Sequence, residues 1–91
     1  MTTTFWRVSF GAYTLGIEVV GSQPDCPYFH KWLTDFCTQT RMASDPSVAA
    51  RQIGGEVESR WPGRSYWVEV ARTDRLGVLR LEATVTREVK H

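Results

Sequence analysis

The chain is poor in the residues that hold metals or staple small folds. It has two cysteines and two histidines among 91 residues, and one histidine, His91, is the last residue. A structural zinc site takes four such ligands, so no metal site and no cofactor is expected. Cys26 and Cys37 fall eleven residues apart in one helical pattern. That is about 16 Å along a helix axis, too far for a disulfide. Two thiols suit a reducing cytoplasm, where both are expected to serve as small buried hydrophobes. No apolar run in Met1 to Phe10 has the length of a secretory signal, and none later approaches a membrane span. A cytoplasmic chain with no membrane partner is therefore expected. Gly54 and Gly55 lack the flanking Gly, Lys and Ser/Thr of a phosphate-binding loop. The net charge is only +1, so the overall field does not steer the chain towards nucleic acid.

What is present is a core. The composition is 42% hydrophobic and includes four tryptophans, enough for one domain over residues 1–91 to fold without staples. Phe5 to Phe10 alternates, with Trp6, Val8 and Phe10 on one side. Gly11-Ala12 is a two-residue hairpin signal, because a leading glycine supplies the positive φ such turns need. Tyr13, Leu15, Ile17 and Val19 return on the Trp6 side. Asp25 and Pro27 then open a helix carrying Phe29, Trp32, Leu33, Phe36 and Cys37 at helical spacing. Asp45-Pro46-Ser47 opens a second, with a cap and a proline at the first helical position. Its stripe is Ala49, Ile53, Val57 and Trp61, and Pro62-Gly63 ends it. The Gly54-Gly55 pair inside it implies close backbone packing.

The second hairpin organises the rest. Tyr66, Val68 and Val70 alternate with Trp67, Glu69 and Ala71, and Leu79, Leu81, Ala83 and Val85 alternate with Arg80, Glu82 and Thr84. Placing Val70 opposite Leu79 also sets Glu69 against Arg80, a favourable cross-strand pair. This register puts the tip at Arg72 to Gly77 and turns Leu79 and Leu81 towards the core. The predicted fold is α+β, in the order ββααββ: a four-stranded antiparallel sheet of two hairpins with both helices on one face. The charged residues 86–91 are expected to fray.

No constellation of residues names a reaction. Cys26 and His30 share a helix face one turn apart, the only arrangement resembling an activated nucleophile, and no third group at a recognisable spacing orients them. A catalytic function is not expected. Residues 51–91 hold eight basic and six acidic side chains, against three and four in residues 1–50. Arg64, Arg72 and Arg75 lie at or near the ends of the last two strands, with Tyr66 and Trp67 nearby, and Arg60 ends the helix before them. Such a basic hairpin can hold phosphates and stack bases, although Asp74, Glu69 and Glu82 oppose it. On the sheet face turned from the helices the register places Phe5, Val20, Trp67, Ala71 and Val78. Clustered exposed aromatics mark contact with another protein, and two unguarded edge strands favour self-association.

The segment Asp45 to Asp74, DPSVAARQIGGEVESRWPGRSYWVEVARTD, resembles the second half of tetrahydropterin-synthase-like T-fold enzymes: a capped helix, a proline near its end, then a V-x-V strand. The resemblance covers about a third of the chain. It implies the same sheet arrangement and ring-shaped oligomers. That family anchors a heterocycle with a Glu at the end of the third strand, where this chain has Arg72, and its zinc histidines after the first strands have no counterpart here. A relative would thus be a catalytically inactive ligand binder. The reading drawn from the residues is a small non-catalytic interaction protein of inhibitor, immunity or adaptor type, with Phe5, Val20, Trp67 and Val78 as its protein-binding residues. An anion or nucleic-acid binder using the four arginines is the alternative.

Overall fold

A computed structural model describes residues 3–21, 26–39 and 45–89. The elements are β1 (Thr3–Phe10), β2 (Tyr13–Val20), α1 (Cys26–Gln39), α2 (Pro46–Arg60), β3 (Tyr66–Thr73) and β4 (Leu79–Arg87). The strands form one antiparallel sheet in the order β1-β2-β3-β4, and both helices pack on one face of it. The first hairpin pairs Phe10 with Tyr13 across Gly11-Ala12, and Gly11 takes the positive φ of 60° that the turn demands. Asp45 caps α2, its Oδ1 accepting from the backbone N–H groups of Ser47 at 3.1 Å and Val48 at 3.2 Å. The expected Asp25 cap of α1 lies outside the described residues.

The helices divide the sheet between them: α1 lies on β1, α2 on β3 and β4. From the strands, Trp6, Leu15, Ile17, Val19, Val68 and Val70 enter the core, and they meet Phe29, Leu33, Ile53 and Val57 from the helices. At one end the core is aromatic. Trp61 stacks on Trp6 with ring centroids 5.4 Å apart and planes at 18°, and Phe29 meets both rings edge-on at 4.7 and 4.9 Å. The two helical glycines behave differently. A Cβ at Gly54 would stand 3.2 Å from Tyr66 and Val85 atoms, whereas one at Gly55 would meet nothing. The close packing expected of the pair therefore belongs to Gly54 alone.

The second hairpin departs from the expected register. Val70 pairs with Ala83 rather than Leu79, Glu69 with Thr84 rather than Arg80, and Thr73 with Leu79. The turn sets this. Asp74 Oδ1 accepts from the N–H groups of Leu76 at 2.9 Å and Val78 at 3.0 Å, and Gly77 sits at φ 79°. The tip thus begins at Asp74, and both strands run on to Thr73 and Leu79. Near the helices, however, Val68 and Val70 must meet Val85 and Ala83 to keep the core apolar. These two demands differ by one residue. A bulge at Val70/Ala71 absorbs the difference, as bulges do, by leaving one extra residue in one strand. Beyond it the faces of β4 exchange: Leu81 pairs with Ala71 and Leu79 with Thr73, so both leucines share the Trp67 face and are half exposed, at 58% and 50%. They do not enter the core. Pairing also runs later than expected at the other end, with Thr86 and Arg87 opposite Trp67 and Tyr66, and Val89 N–H donating to Ser65 Oγ at 2.8 Å.

Candidate functional site

The sheet face turned from the helices carries no element of its own chain among the described residues. Its side chains fall in cross-strand rows fixed by the register: Phe5, Glu18, Trp67 and Thr86; then Arg7, Gly16, Glu69 and Thr84; then Ser9, Thr14, Ala71 and Leu81. Of these, Phe5, Arg7, Thr14, Gly16, Glu18, Trp67, Glu69 and Ala71 line, with Leu79, a shallow groove of about 680 Å³. Phe5 and Trp67 stand on it 69% and 47% exposed. Gly16 is what makes its floor low. The Glu69 side chain lies across that glycine, with Cγ 3.3 Å from where a Cβ would be. The Trp67 indole N–H donates to Glu69 Oε2 at 3.1 Å, which holds the indole along the sheet.

Of the four residues expected to bind protein, Phe5 and Trp67 share one row. Val20 borders a separate depression of about 290 Å³ with Tyr66, Trp67 and Thr86, and its carbonyl accepts from Arg64 Nη1 at 3.1 Å. Val78 lies in the turn at the opposite end, its backbone bound to Asp74. Leu81 and Leu79 lie towards the turn end, opposite Ala71 and Thr73, and sequence reasoning did not place them on this face. The signal was in the turn: an Asp that hydrogen-bonds its own backbone two residues on, followed by glycine, starts a tip at Asp74.

The four candidate anion-binding arginines do not converge. Arg60 Nε bonds Glu56 Oε1 at 2.8 Å, and its guanidinium lies 5.4 Å from the centre of the Phe29 ring. Arg72 pairs with Glu82 at 3.0 Å, and Arg75 is exposed in the turn. Arg64 and Arg72 are separated by the length of β3, roughly 26 Å at ~3.3 Å per residue. Asp74 likewise serves structure: Arg80 Nε bonds its Oδ2 at 2.7 Å. That bond first, then the backbone N–H groups of Val78 and Leu76, holds its carboxyl below the usual carboxylate range. Arg87 pairs with Glu58.

Cys26 begins α1 half-buried and His30 is exposed on its surface, while burial pushes the Cys37 thiol up. No group of three or more His, Cys, Asp or Glu side chains converges among the described residues. No helix in the described residues is long and apolar enough to cross a membrane. Comparison with protein-family models, with curated proteins and with solved structures gave no match to this chain.

Proposed function

We propose that this chain is a small, non-catalytic protein-binding module of the cytoplasm whose working surface is the open face of its sheet. The observation that carries the reading is the bulge at Val70/Ala71. It turns Leu79 and Leu81 onto the face that already holds Phe5 and Trp67, so that this face carries exposed large apolar side chains on both sides of the row of Arg7, Gly16, Glu69 and Thr84. Large exposed apolar patches with polar neighbours mark contact sites with other macromolecules. A buried Trp or Phe at the centre of such a contact supplies most of its affinity. The arginines give no comparable support to phosphate binding, because they sit at both ends of a strand and three of them are engaged within the chain.

A photo-crosslinking residue placed at Phe5, and separately at Arg51 on exposed α2 surface, tests this in the cells that make the protein. Protein adducts are expected at position 5 and not at 51. Adducts at 51 alone would overturn the reading. Adducts to nucleic acid that vanish as salt rises would favour the arginine alternative, since phosphate-dominated binding is steeply salt-dependent.

A further inference from the structure

We infer that the open face is covered over β1, β2 and β3 by a second copy of this chain, packed face to face about a two-fold axis running along β2. The inference rests on reading that face as the binding surface, and its argument is self-complementarity. In the central row Arg7 on β1 and Glu69 on β3 flank Gly16 on β2. A two-fold axis along β2 exchanges β1 with β3. It therefore lays Arg7 of each copy over Glu69 of the other, twice, and Phe5 of each over Trp67 of the other, twice. Gly16 lies on the axis, where the absence of a side chain lets the faces approach. The Glu69 side chain already leans across it. Aligned sheets pack about 10 Å apart, a gap that an arginine and a glutamate span together.

An axis across the strands through the same row would instead set Arg7 on Arg7 and Glu69 on Glu69. Charge thus selects the first arrangement. Within one chain no ion pair joins Arg7 to Glu69 among the described residues. The overlap is modest. An axis along β2 lays β1, β2 and β3 over β3, β2 and β1 of the other copy and leaves β4, with Leu79 and Leu81, outside. Three strands of eight residues cover roughly 14 by 26 Å, about 370 Å² per copy and about 740 Å² in all, the size of a weak, reversible contact. The arrangement has one cost, since it brings the two Glu18 carboxylates towards each other between Phe5 and Trp67.

Sedimentation at tens of micromolar tests the proposal. The wild type is expected at twice the 10.4 kDa chain mass. Arg7→Glu and Glu69→Arg are each expected to run as monomers, folded by circular dichroism. An equimolar mixture of the two is expected to recover a one-to-one dimer, because each variant then meets the opposite charge at both contacts. Glu18→Gln is expected to tighten the wild-type dimer several-fold. A monomeric wild type, a dimer that survives both charge reversals, a mixture that stays monomeric, or a Glu18→Gln dimer no tighter than wild type would each overturn the proposal. Should the second copy fail in this way, adducts at position 5 with a different protein would still support the binding face, so the two failures are distinguishable.

Discussion

Replacing each glycine of the α2 pair by alanine should give opposite results, and the size of the contrast follows from the packing of α2 on the second hairpin. Both substitutions gain helix propensity, about 1 kcal/mol for an interior glycine. At Gly55 nothing stands within 4 Å of the new Cβ, so most of that gain should appear as stability. At Gly54 the new methyl meets Tyr66 Cε1, the Tyr66 hydroxyl and Val85 Cγ1, each at 3.2 Å. Three such contacts at once require either the ring or the strand to shift, and overpacking of this kind costs about 1–3 kcal/mol. The expected net effect at Gly54 is a loss of about 1 kcal/mol. The two variants should therefore differ by about 2 kcal/mol, or roughly 8–16 °C in Tm for a domain of this size. Parallel thermal and urea unfolding of both variants and the wild type measures this. Equal stabilisation by both alanines would mean that Gly54 does not face β3 and β4, and the docking of α2 described above would be wrong.

Other expectations follow from the same structure. Trp61→Ala removes the ring stacked on Trp6 and met edge-on by Phe29. It should cost about 3–5 kcal/mol of the roughly 5–14 expected for a chain of this length, and a denaturant midpoint equal to wild type would put Trp61 on the surface. Leu81→Lys, made in the Arg7→Glu background so that association does not enter, should change stability by less than about 0.5 kcal/mol, as surface substitutions do; a loss of several kcal/mol would restore Leu81 to the core. Asp74→Asn should destabilise the chain at neutral pH. The folded carboxyl is held below its ordinary range, so its contribution is present above the unfolded value of about 3.9 and lost as pH falls through the folded one. The gap in midpoint between wild type and Asp74→Asn should accordingly hold from pH 7 to 5 and close below about pH 4. A gap independent of pH would show that the ionised form is not what matters.

The first hairpin and α2 were legible because single local signals decided them. Gly11 had to take positive φ, Asp45-Pro46 could only open a helix, and the Ala49, Ile53, Val57, Trp61 stripe is buried throughout. The second hairpin was not legible from alternation alone. Val68, Val70, Ala83 and Val85 fix one end of it by burial and Asp74-Gly77 fixes the other by turn chemistry. Alternation reads straight through a bulge, so the one-residue mismatch stayed hidden, and with it the outward turn of Leu79 and Leu81. Phe5 and Trp67 were placed on the open face because their strands reach it without interruption. Arg7 and Glu69 gained meaning only once Gly16 was seen between them. The four arginines are split between two ends for a geometric reason: neighbours in sequence on either side of an eight-residue strand end far apart in space.

The central claim is that the open face around Phe5 and Trp67 is covered when the protein works. Hydroxyl-radical footprinting of the protein in its own cells, against the charge-reversed Arg7→Glu monomer in dilute solution, measures that directly. Tyr28 on α1, 74% exposed on the opposite side of the molecule, serves as the internal reference. The account predicts protection of Phe5 and Trp67 in cells with Tyr28 equally reactive in both samples. Protection of Tyr28 with Phe5 and Trp67 left fully reactive would contradict it.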